Sequence, residues 1–417
     1  MLIQTILNHV EKYKSFVYGE ARWKGSGKER DLEVKVRPRK NGRPRCSGCH
    51  KLRPGYDRLA VRRFEFPPLW AIHIFLLYAL RRVNCPGCGI VVEEVPWCQG
   101  KHQQTTSYRW FLAQWAKRLS WQQVAQCFGA SWDTVYAAVL MAVHWGLAHR
   151  SLTGLEAIGV DEIQWLRGHK YLTLVYDLGS RTKRLLYISK ERTEQSLHGF
   201  FDQLGLIGSE ALRFVCSDMW KPYLTVIAQR AKQAVNVLDR FHIMKKFNEG
   251  IDEVRRREAE QMRERGLEPL LRHARWCLLK REENLTPAQA TKLKDLLTYN
   301  LRSVRAYLLR EEFQRFWEYS SPEEAGHFLD SWCKRAMRSR LAPIKKVVGT
   351  LRAHRELILN WFRARGTMSS GAVEGMNNNA KVVMRKAYGY RSFPAVEASL
   401  YHTMGKLPEP KFAHRFT

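Results

Sequence analysis

The stretch "LEAIGVDEIQWLRGHKYLTLVYDLGSRTKRLLYISK", residues 155–190, decides the fold. It contains three apolar runs rich in branched and aromatic residues, "LEAIGVDEI", "KYLTLVYDL" and "KRLLYISK", with the polar turn "GSRTK" between the last two. These runs predict three successive short strands. A helix, a fourth strand at "LRFVCSDM", a second helix and a fifth strand at "QAVNVLD" are predicted downstream. Three meander strands followed by alternating helices and strands are typical of a mixed α/β sheet.

Two aspartates accompany these strands. Asp161 is predicted to end the first strand, in "IGVDE", and Asp218 to end the fourth, in "VCSDMW". Strands one and four of such a sheet can be neighbours, which would bring the two carboxylates together. Alternatively, both are turn formers or ordinary surface acids.

A third acid, Glu374, lies in "GAVEGMNNNAKVVMRKAYGY", residues 371–390. Apolar residues recur here at helical spacing, and Ser369, Ser370 and Gly371 would start the helix. The apolar positions are Val373, Met376, Ala380, Val383 and Ala387. A second face would carry Glu374, Asn377, Asn378, Lys381 and Arg385. That face is either a solvated ion-pair surface or a functional one.

Three clustered carboxylates repel one another unless cations lie between them. Mg²⁺ suits such a site because it accepts few carboxylates and keeps water and phosphate oxygens as its other ligands. Two such ions can activate an attacking hydroxyl and stabilise the leaving oxygen of an in-line phosphoryl displacement.

Four of the nine cysteines form two knuckles, Cys46 with Cys49 in "RCSGCHK" and Cys85 with Cys88 in "NCPGCGI". Glycine and proline in these turns let four thiolates converge on one tetrahedral Zn²⁺. Disulfides are the alternative, which the expected reducing compartment disfavours. Residues between the knuckles suit short strands of a zinc-ribbon-like module. Four protein ligands would make the Zn²⁺ structural.

Three helices are predicted between residues 105 and 150. They are "SYRWFLAQWAKR", "SWQQVAQCFG" capped by Ser120, and "ASWDTVYAAVLMAVHWG" capped by Ser131. The short turn containing Gly129 fits a helix-turn-helix whose third helix enters the major groove. Exposed Trp132, Asp133 or Tyr136 could then face base edges. A small helical bundle without DNA-binding function would show a similar pattern.

The charge of the chain indicates a polyanionic partner. Its 417 residues include 70 Lys and Arg against 40 Asp and Glu, a formal charge of +30 spread over the whole length. Phosphate neutralisation with counterion release favours nucleic acid as that partner. No stretch approaches roughly 18 uninterrupted apolar residues, so we expect no membrane association. A cytoplasmic, nucleoid-associated protein is the expectation.

The order of these motifs resembles that of the ISL-three family of insertion-sequence transposases. The resemblance rests on the paired cysteine knuckles, "IGVDE", "CSDMWKPY", "LDRFHIMKKFNE" and "GAVEGMNNNAKVVMRKAYGYR". It implies a ribonuclease-H-like core with Asp161, Asp218 and Glu374 as catalytic acids that bind two Mg²⁺ ions. Asp239 and His242 match an Asp-x-x-His element of related transposases, which would place His242 near the scissile phosphate. Asn377, Lys381 and Arg385 would meet the DNA backbone.

The resemblance also implies a multidomain layout. We expect a zinc-binding module at 1–100, a helix-turn-helix at 101–150, core segments at 151–249 and 366–417, and an all-α insertion at 250–365. The expected function is cleavage at the terminal inverted repeats of an insertion sequence and joining of 3′-hydroxyls to target DNA, by a homodimer or larger assembly on double-stranded DNA. An inert DNA-binding regulator and a nuclease without strand transfer remain alternatives.

Overall fold

The computed structural model describes residues 2–26, 30–70, 72–179, 183–364, 371–387 and 389–411. Ser369 and Ser370, the expected start of the last core helix, and most of the "GSRTK" turn therefore lie outside the described residues. The chain divides into two compact units. The first comprises residues 1–151 and 382–417, and the second comprises residues 152–381.

Helices and strands are numbered in chain order. The first part contains α1 Ile3–Val10, β1 Phe16–Lys24, β2 Asp31–Pro38, β3 Arg45–Cys46, β4 Gly55–Leu69, β5 Ile72–Cys85, β6 Gly89–Glu94, α2 Thr106–Arg118, α3 Trp121–Cys127 and α4 Trp132–His149. The middle part contains β7 Ala157–Leu166, β8 Lys170–Asp177, β9 Arg184–Lys190, α5 Glu194–Glu210, β10 Phe214–Ser217, α6 Lys221–Arg230 and β11 Val235–Leu238. The remainder contains α7 Arg240–Glu264, α8 Arg275–Leu279, α9 Pro287–Leu297, α10 Arg302–Gln314, α11 Pro322–Met337, α12 Ala342–Ala353, α13 Arg355–Arg363, α14 Ala372–Lys386 and α15 Phe393–Met404.

A six-stranded sheet begins the first unit. β4 pairs antiparallel along one edge of β5, while β2 and β6 share the other edge. The expectation of short strands is wrong here, because β4 has 15 residues and β5 has 14. β5 keeps hydrogen-bonding partners on both edges, which supports its extended conformation throughout. The fully buried Trp97 packs its ring against Phe16, Tyr78 and Phe64 in the core of this sheet.

Helices α2, α3 and α4 begin at side-chain caps. Ser120 and Gln123 form a capping box at α3, and Ser131 accepts a hydrogen bond from the backbone N–H of Thr134 at α4. Gly129 adopts a φ of 60° in the turn between α3 and α4, a conformation that glycine reaches without steric cost. The two predicted serine caps and the glycine turn are thus confirmed.

The C-terminal segment packs against α4 in the first unit. A methyl group added at Gly146 would lie 2.6 Å from the Cβ of Leu407, so the glycine permits this close approach. The sequence had placed residues 366–417 with the core, whereas residues 382–417 group with the first unit. On α15, burial and then the charges of Lys117 and Lys386 lower the pKa of His402 to about 3.

A five-stranded sheet organises the second unit. Its order is β11-β10-β7-β8-β9, with β7, β8 and β9 forming an antiparallel meander. β10 pairs parallel with both β7 and β11, so the first and fourth strands are neighbours as predicted. Helices α5 and α6 pack on the face that carries Ile158 and Val160.

Helices α7 to α13 surround a second core. Large aromatic rings pack there, among them Phe247, Phe313, Phe316, Trp317 and Trp332. The described residues from 250 to 364 contain helices and no strand, which confirms the predicted helical character of this region. Among the described residues, no helix has the length and apolar composition needed to cross a membrane.

Candidate active site and metal centre

Asp161 lies within β7 and not at its end, contrary to expectation. β7 continues to Leu166 in the hairpin with β8, because β8 still provides partners there. The pairing with β10, however, stops at Gly159. Asp161 therefore stands two residues past this pairing, and Asp218 directly follows the last residue of β10. Both acids lie where β10 ends.

The Asp161 carboxylate is buried, with 6% of the residue exposed, and contacts three groups. Its Oδ1 accepts a hydrogen bond from the backbone N–H of Glu162 at 2.8 Å. Its Oδ2 accepts one from Nδ2 of Asn377 at 2.6 Å, and Nε2 of His242 lies 3.6 Å from the same oxygen. Both carboxylate oxygens therefore have fixed donors.

Asp218 lies in a similarly desolvated position. Its Oδ1 accepts a hydrogen bond from the backbone N–H of Trp220 at 2.9 Å. Burial raises the pKa of Asp218, and the charge of Asp161 adds to the increase, while the Trp220 N–H and the charge of His242 oppose it. The two aspartates thus interact electrostatically, as expected of neighbouring carboxylates.

Asp239 and His242 join this group from the start of α7. Asp239 caps the helix by accepting the backbone N–H of Phe241 at 2.8 Å. Burial raises the pKa of Asp239 to about 6, and the charges of Asp161 and Glu374 contribute. Burial alone would lower the pKa of His242, but the hydrogen bond and charge of Asp161, with smaller effects of Asp239 and Asp218, raise it overall. The neighbouring carboxylates therefore favour the protonated form of His242.

The first turn of α14, which carries Glu374, packs against β7. A methyl group added at Gly159 would lie 2.6 Å from Cγ2 of Val373, so the glycine lets the first turn of α14 approach the strand closely. Glu374 follows Val373 and is half-buried. It lines a groove that contains three cationic residues, Arg240, Lys245 and Arg281. The other residues of this groove are Phe241, Met244, Asn248 and Gly371.

Asn377 does not lie at the surface, where a contact with DNA was expected. It was expected to meet DNA, but it is 5% exposed and hydrogen-bonded to Asp161 on one side and to Tyr176 on the other. The packing of α14 turns this residue toward the sheet, so it has no surface for DNA. Lys381 and Arg385 on the same helix are exposed.

A further acid, Glu162, was missed. Strand residues alternate between faces, so Glu162 lies on the face opposite Asp161, where Arg192 Nη1 is 3.2 Å from its Oε1. The Arg192 guanidinium lies 4.5 Å from the ring centres of both Tyr171 and Trp220. Burial, followed by the charges of Asp218 and Asp161, raises the pKa of Glu162 to about 7. Its position beside Asp161 in "IGVDE" was the available signal.

The donor types in this cluster suit a hard divalent cation. The charge of Asp161 contributes to the raised pKa values of Asp218, Asp239 and Glu162, in which burial is the largest cause. Carboxylate oxygens are the ligands that Mg²⁺ prefers. The acids nevertheless form no compact cage. Among the described residues, three or more ligand atoms of His, Cys, Asp or Glu lie within 4.8 Å of one another only at the four cysteines.

That second site comprises Cys46, Cys49, Cys85 and Cys88. Their sulfur atoms all lie within 4.8 Å of one another, and the Sγ atoms of Cys49 and Cys85 are 3.6 Å apart. All nine cysteines of the chain are free thiols. Burial opposes ionisation of Cys85, but backbone N–H groups and neighbouring thiols lower its pKa to about 6. The cluster could bind a metal ion, and four thiolates suit tetrahedral Zn²⁺.

The three residues expected to read DNA lie at the start of α4. Asp133 is exposed, and Trp132 is 38% exposed. The ring of Trp132 lies 5.2 Å from that of Tyr136 and 5.4 Å from that of Trp121. Trp132 and Tyr136 therefore combine packing with partial exposure, and Asp133 is exposed.

This chain is similar in sequence to known proteins over most of its length. Residues 158–399 match the family model of the ISL-three type, which is described as a transposase. The chain is 31% identical over 353 residues to the transposase for insertion sequence element IS1001 of Bordetella parapertussis, covering 83% of this chain and 85% of that protein. It is 29% identical over 391 residues to the transposase for insertion sequence element IS1557 of Mycobacterium tuberculosis, covering 88% and 86%.

Proposed function

Because the chain belongs to the ISL-three family of insertion-sequence transposases, we propose that it cleaves DNA at the terminal inverted repeats of its element and joins the 3′-hydroxyls to target DNA. Its relatives imply an enzyme that cuts and joins DNA. The proposed chemistry is metal-dependent in-line phosphoryl transfer. An oxygen nucleophile attacks the phosphorus, and the bond to the 3′ oxygen breaks in the cleavage step.

The observation that carries this proposal is the meeting of Asp161 and Asp218 where β10 ends, with Glu374 packed against β7 through Val373. The strand order β11-β10-β7-β8-β9 supports a ribonuclease-H-like core. Carboxylates from two adjacent strands lie there beside His242, and Arg192 pairs with the neighbouring Glu162. Glu374 lies in a groove lined by Arg240, Lys245 and Arg281.

We assign Asp161, Asp218 and Glu374 as the ligands of two Mg²⁺ ions. Bound divalent cations would activate the nucleophile and neutralise charge on the leaving oxygen. Asp239 fixes the start of α7, and this positions His242 beside Asp161. His242, beside Asp161, can donate a hydrogen bond to a phosphate oxygen at the same edge. The cations lining the Glu374 groove, Lys245 among them, favour a DNA backbone there.

Recognition of the element ends falls to the first unit in this proposal. Asp133, Trp132 and Tyr136 at the start of α4 would face base edges in the major groove. Zn²⁺ at the four cysteines would join β3 to the turn between β5 and β6. Exposed Lys381 and Arg385 would contact backbone phosphates. The enzyme would act as a homodimer or larger assembly on DNA.

The test is incubation of the full-length protein with Mg²⁺ and labelled DNA that carries the flanking repeats of its own locus. Asp161→Asn, Asp218→Asn and Glu374→Gln should each reduce cleavage and joining by several orders of magnitude, because metal-assisted transfer is lost. Binding to the same DNA should persist, since removal of a negative charge lowers repulsion from phosphates. The matched control is Asp202→Asn, an exposed aspartate of the same unit.

Three results would contradict the proposal. If all three variants fold, bind and cut at the wild-type rate, the acids are not catalytic. Cleavage without joining would identify a nuclease, and binding without cleavage by the wild-type protein would identify a regulator.

A further inference from the structure

Tyr176, Asn377 and Asp161 form a buried hydrogen-bonded chain between the sheet and α14. The hydroxyl of Tyr176 donates to Oδ1 of Asn377 at 2.8 Å, and Nδ2 of Asn377 donates to Oδ2 of Asp161 at 2.6 Å. The three residues are between 0% and 6% exposed. Water therefore does not compete for these hydrogen bonds, and each is stronger than it would be in solvent.

The Asp161 carboxylate and the tyrosine together fix the orientation of the amide. An ionised carboxylate only accepts hydrogen bonds, so the amide nitrogen faces Asp161 and the amide oxygen faces Tyr176, whose hydroxyl donates to it. With the amide reversed, its oxygen would oppose a carboxylate oxygen and two acceptors would meet. Tyr176 thus completes the one orientation in which Asn377 supports an ionised Asp161, because it satisfies the amide oxygen.

The space for this chain exists because of Gly159. In the register of β7 with β8, Gly159 lies opposite Tyr176, and Asp161 lies two residues further along the same face. The close approach of Val373 to Gly159 brings Asn377, one turn further along α14, over the Asp161 carboxylate. The docking of one helix therefore supplies Glu374 and also fixes Asp161.

We propose that Asn377, held by Tyr176, is a positioning residue that holds Oδ2 of Asp161 and so fixes the carboxylate for divalent-cation binding. This inference rests on the proposed function, in which Asp161 is a metal ligand. Outer partners of metal-ligating carboxylates commonly change metal affinity about 10- to 100-fold when they are replaced.

The first test measures Mn²⁺ binding to the full-length protein by titration calorimetry, together with melting temperature and the Mg²⁺ dependence of DNA cleavage. Asn377→Ala and Tyr176→Phe should weaken Mn²⁺ binding about 10- to 100-fold and shift half-maximal cleavage to higher Mg²⁺. High Mg²⁺ should restore much of the cleavage. Asn379→Ala, an exposed asparagine of the same helix, is the control and should change neither property.

A charge exchange separates positioning from packing. In Asp161→Asn alone, the new amide N–H faces Nδ2 of Asn377, so either two donors meet or Asn377 reverses its amide and the Tyr176 hydroxyl loses its acceptor. Combined with Asn377→Asp, the new amide at position 161 can donate to the new carboxylate at position 377, which also accepts from Tyr176. The double variant should therefore recover the melting temperature lost by Asp161→Asn, yet remain inactive and bind Mn²⁺ weakly.

Distinct outcomes identify what fails. Unchanged Mn²⁺ affinity and Mg²⁺ dependence in both Asn377→Ala and Tyr176→Phe would overturn the inference. It would also be overturned if both variants lost cleavage equally at every Mg²⁺ concentration with a lowered melting temperature, since the role would then be structural. Normal cleavage by Asp161→Asn would instead refute the proposed function.

Discussion

Gly159→Ala should loosen the docking of α14 on the sheet. The added methyl group would lie 2.6 Å from Cγ2 of Val373 and 2.9 Å from Cδ1 of Leu178, both shorter than van der Waals contact. Such overpacking costs about 1–3 kcal/mol. Replacement of glycine by alanine at an ordinary backbone position returns about 0.4–1 kcal/mol through the unfolded state. The packing of α14 on β7 should therefore be destabilised by about 1–2 kcal/mol.

The assay is hydrogen exchange of α14 amides, read by mass spectrometry on peptides that cover residues 371–387. A cost of about 1–2 kcal/mol lowers protection about 5- to 30-fold if α14 opens locally. Cleavage should fall in parallel, because Glu374 and Asn377 move with the helix. Peptides from α5, on the opposite face of the sheet, serve as the internal control and should keep their protection.

A second substitution tests the cause. Val373→Ala removes the Cγ2 atom with which the new methyl group of Gly159→Ala would clash. On its own, Val373→Ala should cost about 1.5–2 kcal/mol of stability, because two buried methyl groups are removed. The double variant should be more protected than the sum of the two single effects predicts, by about 1 kcal/mol. Rescue should be partial, since Leu178 remains close. Unchanged protection in Gly159→Ala, or strictly additive effects in the double variant, would refute the packing argument.

Three further predictions concern the first unit. Cys85→Ser should lower bound Zn²⁺ from about one equivalent to near zero and reduce binding to element ends, because structural Zn²⁺ contributes to folding. The control Cys127→Ser should keep both the metal and the DNA binding. Full metal content in Cys85→Ser, measured by atomic absorption, would contradict the site. His402 has its pKa lowered to about 3, so its stabilising effect is complete above the unfolded pKa near 6.5 and declines as pH falls. About 2 kcal/mol of unfolding free energy should be lost by pH 5, measured by urea unfolding, and His402→Gln should flatten this slope while His144→Gln should not. Asp133→Asn should change sequence preference more than bulk affinity in binding assays on varied end sequences; an equal loss on all sequences would indicate a backbone contact.

The strands and caps of this protein could be predicted because their signals are local. Apolar alternation and turn residues indicated all five core strands, and the serine caps fix the starts of α3 and α4. The neighbouring positions of β7 and β10 followed from the meander-plus-crossover order. The cysteine spacing likewise indicated that four sulfur atoms meet.

The role of Asn377 could not be predicted because it depends on how far α14 rotates against the sheet. At roughly 100° per residue, Asn377 lies between the apolar stripe of Val373 and Ala380 and the polar side with Lys381. Amphipathic spacing alone permits either environment there. The contact between Val373 and Gly159 turns Asn377 inward. Similarly, the extension of β7 past Asp161 depends on its pairing with β8, which no single strand reveals.

The Asp161–Asn377 hydrogen bond spans 216 residues, and this separation has a consequence for synthesis. Ribosomes add about 5–20 residues per second, and N-terminal parts fold first. The strand acids therefore emerge long before the helix that completes their surroundings. Residues after 381 also belong to the first unit, so a premature stop near residue 370 would remove part of both units together. Neither unit is complete until the residues after 371 have been synthesised, and the nascent chain should have no cutting activity before then.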